Sequence, residues 1–347
     1  MNKNFQIFKE ECVSWMNKQH SKSIDCIITS PPYNLNIKYG GYNDSISRES
    51  YLKWMDDVAR ACKNVLKDDG QIYLNVGYSN SDPFVSMDVA QVFRNYFILQ
   101  NNFTWVKHIM VNDTGYGQYK PILSDRYVSA TTESIFHFTK KGDVKIDRIA
   151  IGQRNKTHPI WPELYSEGRH IANTRRKIAK KMKFKNYKDV LANSTKEQLK
   201  EFKIEVENLL KKKPYQPDKK KCIGNAWFIP YTPTSKLSKE IGAEDGHNFR
   251  TVARANHPAT FPEKLPEQCI KVSGLKKGSV VYDPFLGTGT TIVAALKLGM
   301  IGIGTDIDQN YVKFSKKRIE SMSIENPIEI NKKDNNEKKM IQLKLVS

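Results

Sequence analysis

The chain is short of acid, of cysteine and of long apolar runs, and each shortage excludes something. Its 347 residues hold 56 Lys or Arg against 37 Asp or Glu, giving a formal net charge of +19. Such a balance points to a polyanionic partner. No stretch approaches the roughly 20 consecutive apolar residues of a membrane span, so no membrane partner is expected. Residues 1–6 carry no apolar core of a secretion signal, and the expected compartment is the cytoplasm. The five cysteines, Cys12, Cys26, Cys62, Cys222 and Cys269, include no Cys-x-x-Cys clamp. That argues against a disulfide framework and a zinc site, and for reduced, buried thiols with no bound metal. No Gly-Lys-Ser/Thr follows any glycine-rich turn, which excludes a phosphate-binding P-loop.

What is present centres on Thr29-Ser30-Pro31-Pro32-Tyr33-Asn34. It follows Ile24-Asp25-Cys26-Ile27-Ile28, a β-branched run that reads as a buried strand. Neither proline has an N–H, so the chain must leave the sheet at Ser30 in a stiff, extended form. The carbonyls of Ser30 and Pro31 and the ring of Tyr33 together suit a planar group bearing an amine. The oxygens accept from the amine, and the ring stacks on the plane. A plain strand-ending turn is the competing reading of the hexapeptide alone.

Around it the chain predicts a βαβ unit. Residues 1–22 read as a lead-in with a helix over 10–17, and 35–47 as a loop. Tyr51, Trp54, Met55, Val58, Ala59, Cys62, Val65 and Leu66 repeat at helical spacing and predict a helix over 50–66. Lys67-Asp68-Asp69-Gly70 stops it before a strand over 71–76. A helix over 84–97 and strands over 103–110 and 133–138 follow.

Residues 145–221 then hold 22 Lys or Arg against nine Asp or Glu. Arg175-Arg176-Lys177, Lys180 and Lys181 lie here, with Trp161, Tyr165, Phe184, Tyr187, Phe202 and Tyr215 interleaved. Any single charge run is usually a solvated face, but the concentration points to a phosphate-contacting surface. The segment reads as an inserted, mainly helical nucleic-acid-binding region. The expected division is 1–144 and 225–325 as two halves of one core, 145–224 as the insert, and 326–347 as a polar tail whose last residues are a candidate edge strand.

The second motif lies in the C-terminal half. Val280-Val281-Tyr282-Asp283 predicts a strand entering Pro284-Phe285-Leu286-Gly287-Thr288-Gly289-Thr290-Thr291, then a helix, then a strand over 301–306 ending at Asp306. Strand, Gly-x-Gly turn, helix, strand and acid form a nucleoside-binding arrangement. Gly287 and Gly289 permit close backbone approach, and Asp306 is placed to accept from ribose hydroxyls. The third glycine of a dinucleotide fingerprint is replaced by Ile292. With no pyrophosphate to cradle, S-adenosylmethionine fits better, and Asp283 can face the ammonium of its amino-acid end. A nucleoside cofactor beside a flat amine suggests methyl transfer to an exocyclic amine. Methylating a ring carbon would need a Cys nucleophile, usually after a proline, and the chain has no Pro-Cys dipeptide.

Ser30-Pro31-Pro32-Tyr33, followed late in the chain by Asp283-Pro284-Phe285-Leu286-Gly287-Thr288-Gly289-Thr290, resembles the β-group DNA amino-methyltransferases of restriction–modification systems. His257-Pro258 is similar to the motif that helps close their cofactor pocket. The resemblance covers 5–142 and 225–321. It implies a doubly wound, mostly parallel α/β sheet, S-adenosylmethionine as cofactor, double-stranded DNA as substrate, and target recognition in the insert. A companion restriction endonuclease and a homodimer are compatible with it. Ser30 stands where adenine-modifying relatives usually carry Asp, so the resemblance implies cytosine N4, with adenine N6 as the alternative. RNA or protein amino-methylation, and a binding module without catalysis, are the remaining rivals.

Overall fold

The computed structural model describes residues 4–35, 42, 44–80, 82–107, 109–111, 114–116, 125–128, 130–154, 166–216, 220–222, 224–230 and 261–322. The chain divides into two compact units, residues 1–147 with 225–347, and residues 148–224.

The strands of the first unit are β1 (Phe5–Lys9), β2 (Ile24–Thr29), β3 (Leu66–Val76), β4 (Ile98–Val106), β5 (Ile109–Val111), β6 (Thr114–Tyr116) and β7 (Thr132–Thr139). After the second unit's β8 (Gln153–Arg154) and β9 (Lys220–Lys221) come β10 (Ala226–Phe228), β11 (Val280–Asp283) and β12 (Ile301–Asp306). Eight of them form one sheet in the order β1-β12-β11-β2-β3-β7-β4-β10. Only β7 runs antiparallel to its neighbours. The central strands are buried on both faces, which is why β2 and β11 read as nearly unbroken apolar runs.

Helices α1 (Cys12–Asn17), α2 (Arg48–Val65) and α3 (Val85–Arg94) cover one large core with Trp15, Met55, Val58, Val89 and Phe93. Helices α8 (Thr290–Lys297) and α9 (Gln309–Glu320) bury Ile292, Val293, Leu296, Val312 and Ile319 against Ile7 and Leu286 in a second cluster. Helix α7 (Lys264–Ser273) packs beside α8. The sheet is therefore doubly wound, as the resemblance implied.

Three departures from the sequence reading have clear causes. Residues 5–9 are an edge strand rather than part of a lead-in, because β12 supplies a parallel partner, with Ile7 opposite Gly304. Only Ile7 of the five is fully buried, so no local periodicity announces the strand. Helix α2 runs straight into β3 without a stop. Leu66 already pairs with Ile24, and residues 67–70 form the irregularity before Gln71 rejoins opposite Cys26. Strand β4 begins at Ile98, before the expected Phe103, and ends at Val106. Its first half is hidden in sequence by polar residues that the sheet satisfies: the Asn101 amide meets His137 Nδ1 at 2.9 Å, and Thr139 Oγ1 donates to Gln100 Oε1 at 3.1 Å.

In the second unit, α4 (Glu167–Lys181), α5 (Tyr187–Asn193) and α6 (Lys196–Lys212) close around Ile178, Ala179, Val190, Phe202 and Val206. Each helix begins on a side-chain cap, from Ser166, Asn186 and Thr195 respectively. Strands β8 and β9 pair antiparallel. Cys222 is exposed while the other four cysteines are buried, which corrects the reading of five buried thiols.

Candidate functional site

A cleft opens where four parallel strands end side by side. β1, β12, β11 and β2 are consecutive in the sheet, and each delivers its next residues to the same rim. Crevices at strand carboxyl ends are the usual ligand sites of such sheets. From β1 come Glu10, Glu11 and Cys12; from β12, Asp306, Ile307 and Asp308; from β11, Pro284 and Phe285; from β2, Ser30, Pro31, Pro32 and Tyr33. Tyr42, Trp54 and Tyr311 complete the lining. The two sequence motifs are stitched together at their roots: Thr29 Oγ1 donates to Asp283 Oδ1 at 2.7 Å.

The glycine-rich turn is held from below by α9. Gly287 and Gly289 have φ of 49° and 76°, a region that favours glycine. A Cβ on Gly289 would lie 3.0 Å from Ser315 Cβ. Ser315 Oγ donates to the Gly287 carbonyl at 2.7 Å, and buried Arg318 donates to the Thr288 carbonyl at 3.1 Å and to Thr290 Oγ1 at 3.0 Å. Asp306 accepts from Gly287 N and Asp308 N, both at 2.9 Å.

Across the cleft, the Tyr51 hydroxyl donates to the Pro32 carbonyl at 2.8 Å. Asn34, at φ 57°, bonds through its side chain to both N–H and C=O of Ile46, and Asp44 accepts from Asn34 N and Leu35 N. The Ser30–Tyr33 turn is thus clamped on both sides. The Tyr33 hydroxyl lies 2.6 Å from Ser30 Oγ, 3.3 Å from Glu133 Oε2 and 3.5 Å from the Asn75 carbonyl. Glu133 also accepts from Asn75 Nδ2 at 3.0 Å and pairs with Lys107 at 2.9 Å.

The cleft lining is mainly apolar and aromatic, with four carboxylates set in it, Glu10, Glu11, Asp306 and Asp308, and Glu10 pairs outward with Lys18. Burial pushes the Asp306 carboxyl up to about 6, against the N–H groups of Asp308 and Gly287 that favour its anion. Burial likewise carries Asp283 up to about 7, although bonds from Thr291, Thr29 and the Phe285 N–H pull it down. Burial also works against the Glu11 anion. There the N–H groups of Ser14 and Val13 prevail, and its carboxyl lies below the ordinary value. A ligand bringing positive charge or hydroxyl donors to Asp306 would favour its anion.

The cleft gathers Ser30, Pro31, Pro32, Tyr33, Pro284, Phe285 and Asp306 of the expected site. Gly287, Gly289 and Thr290 do not line it; they shape the loop and are taken up by α9. Asp283 does not line it either: it is 1% exposed and its carboxyl is bonded to Thr29, Thr291 and Phe285, which ties the strand ends together. His257 lies outside the described residues, as do most of the 35–47 loop and the tail. Glu10, Glu11 and Cys12 were missed because β1 was missed. Glu133, Asn75 and Lys107 carry no local signal at all. Among the described residues no group of three His, Cys, Asp or Glu is placed to hold a metal, and no helix is long and apolar enough to cross a membrane.

In the second unit, Arg175, Arg176, Lys177, Lys180 and Lys181 all lie exposed on α4. Arg175 sits 4.9 Å from the centroid of Tyr187, and Lys181 pairs with Glu205 at 2.9 Å. The interleaved aromatics are corrected in part: Phe202 is 2% exposed and Tyr187 stacks on it at 5.7 Å, so both build this unit's core. Trp161 and Tyr165 lie outside the described residues.

Comparison with known proteins agrees with this geometry. The sequence profile of the N6_N4_Mtase family, described as DNA methylase, matches residues 24–317. The type II methyltransferase M.BglII of Bacillus subtilis is 24% identical over 319 residues, which takes in 88% of this chain and 66% of that relative's length. The DNA adenine methyltransferase YhdJ of Escherichia coli (strain K12) is 21% identical over 321 residues, 91% of this chain and 83% of that one. In fold, the chain is similar to the cytosine-N4-specific PvuII DNA methyltransferase, with a TM-score of 0.55 at 17% identity, covering 99% of this chain and 93% of that chain.

Proposed function

Because the chain belongs to the N6/N4 DNA methylase family, we propose that it methylates the exocyclic N4 of cytosine in double-stranded DNA, as the modifying partner of a restriction endonuclease. The observation that supports amino-methyl transfer is the Thr29–Asp283 bond at 2.7 Å, and the choice of cytosine rests on Ser30 standing where adenine-modifying relatives usually carry Asp. That bond brings the Ser30-Pro31-Pro32-Tyr33 turn and the Pro284-Phe285 turn into one cleft.

S-adenosylmethionine, the methyl donor of this family, supplies an electrophilic sulfonium methyl when bound. The donor set fits it. Asp306 would accept from the ribose hydroxyls, Glu10, Glu11 and Asp308 would offset its positive charge, and Phe285 with Ile307 gives the adenine an apolar wall. Ser30 and Pro31 would hold the amine hydrogens of the target base, which turns the nitrogen lone pair toward the methyl and fixes an in-line approach. The cofactor would supply the methyl for the new N–C bond and take back the C–S electron pair on sulfur, and the proton shed by nitrogen would pass to solvent. No covalent enzyme intermediate is required, so no nucleophilic cysteine is needed. Paired cytosine hides its amine, so the base must leave the stack and rest beside Tyr33. The exposed cations of α4 supply phosphate contacts.

Adenine N6 is a second reading. It is favoured by the 2.6 Å contact of Ser30 Oγ with the Tyr33 hydroxyl, which engages the hydroxyl that would otherwise seek an acceptor ring nitrogen. Nucleoside mass spectrometry of DNA from expressing cells decides. N4-methylcytosine supports the first reading, and N6-methyladenine replaces it with the second. Neither product, from folded protein given cofactor and varied duplexes, overturns the methyltransferase assignment.

A further inference from the structure

Behind the Ser30-Pro31-Pro32-Tyr33 turn lies a polar cluster that the reaction as outlined does not use. Glu133 stands near the start of β7, Lys107 just past the end of β4, and Asn75 near the end of β3. Their side chains converge where the sheet is antiparallel. Lys107 Nζ is 2.9 Å from Glu133 Oε1, and the two side chains are 22% and 14% exposed. Asn75 Nδ2 donates to Glu133 Oε2 at 3.0 Å and to the Ser134 carbonyl at 3.2 Å. A mostly buried carboxylate surrounded by donors accepts and does not give. The backbone approaches closely too, since a Cβ on Gly77 would lie 2.8 Å from Tyr33 Cε2 and 3.1 Å from Glu133 Cδ. Tyr33 and Glu133 are therefore pressed against the same stretch of main chain.

The directions of the hydrogen bonds follow from this. The Tyr33 hydroxyl meets two groups that can only accept, the Glu133 carboxylate at 3.3 Å and the Asn75 carbonyl at 3.5 Å. Its single proton goes to that side. At the contact with Ser30 Oγ at 2.6 Å, where either oxygen can donate, the tyrosine oxygen is then left to accept. With its proton so committed, the Ser30 oxygen presents only lone pairs to the cleft.

We propose that Glu133 is a positioning residue for methyl transfer: acting through the Tyr33 hydroxyl, it orients Ser30 as a hydrogen-bond acceptor for the target amine. The serine then serves as a carboxylate would at the same place, without a charge. Lys107 and Asn75 hold the carboxylate in the orientation this needs. The tyrosine hydroxyl, which stacking alone does not require, gains a role. The proposal rests on the methyltransferase reading of the cleft.

Two experiments test it, one with catalysis and one without. In steady-state methylation of duplex DNA, Glu133→Gln should lower kcat by about 10- to 100-fold, the scale of a misplaced reacting group, with the KM for S-adenosylmethionine unchanged. Tyr33→Phe, which keeps the ring and breaks the same chain of bonds, should lose kcat to a similar degree. In a Ser30→Ala background neither change should cost anything further. Additive losses, or full kcat in Tyr33→Phe, would overturn the proposal; the tyrosine variant stands in should Glu133→Gln fail to fold. Separately, 13C NMR of protein labelled at tyrosine Cζ reads the Tyr33 hydroxyl with neither DNA nor cofactor present. Tyr33→Phe identifies the resonance. Glu133→Gln should move its titration to lower pH, and an unmoved titration would refute the bond on which the proposal stands. Failure of the unmodified chain to methylate any DNA counts against the function reading, and the NMR arm remains decisive for the cluster.

Discussion

Replacing Asp306 by asparagine should separate ligand binding from folding. The carboxylate is mostly buried and accepts from Gly287 N and Asp308 N. Burial raises its pKa from 3.8 to about 6, so at pH 8 the anion costs the fold about 3 kcal/mol relative to an ordinary carboxylate. Asparagine removes that cost. Its amide, however, must turn an N–H toward one of the two backbone donors, and the bond lost there costs about 1–3 kcal/mol. The two effects oppose one another at similar size, so the urea midpoint should barely move. The ligand has no such offset. Charge-assisted bonds to ribose hydroxyls are worth about 1.5–3 kcal/mol each, so S-adenosylmethionine should bind about 10- to 150-fold more weakly. Titration calorimetry at pH 8 beside urea unfolding reads both numbers. Unchanged affinity in a folded variant would refute the placement of the ribose at Asp306. Parallel loss of affinity and stability would show that the residue only holds the turn.

The raised carboxyls make two further outcomes specific. Asp283 and Asp306 titrate near 7 and 6 in the fold, above their ordinary 3.8, so the stability they contribute is fully present below 3.8 and is lost as pH rises through 6 to 7. Cofactor binding favours the Asp306 anion and should release protons near pH 6, seen as a binding heat that depends on the buffer and becomes buffer-independent at pH 8. Gly289→Ala should destabilise by about 1–2 kcal/mol from the left-handed backbone alone, with more added by the 3.0 Å approach to Ser315 Cβ; a chemical denaturation midpoint equal to that of the unmodified chain would contradict the packing described. DNA affinity should fall steeply with salt, and neutralising Arg175, Arg176 and Lys177 together should flatten that slope; an unaltered slope would mark this face of α4 as merely solvated.

Much of the cleft was legible because its chemistry is local. Two adjacent prolines remove two backbone donors wherever they occur, so Pro31 and Pro32 had to end a strand. Gly287 and Gly289 adopt positive φ because the turn between β11 and α8 demands it, and that demand is written in neighbouring residues. The period of apolar positions located α2 to within two residues, since a helix is built from contacts a few residues apart.

Tertiary structure decided the rest, because pairing between distant segments leaves no local trace. β1 is a strand only because β12 offers it an edge, and with it Glu10 and Glu11 enter the cleft. Asp283 shows no partner in sequence; the adjacency of β11 and β2 sets Thr29 against it. Glu133 reads in sequence as an ordinary residue at a strand start. It becomes Tyr33's partner because β7 returns antiparallel beside β3, bringing together side chains that lie far apart in the chain. The sequence by itself determined which groups the protein has and how each turn must bend; the order of strands in the sheet determined which of those groups meet.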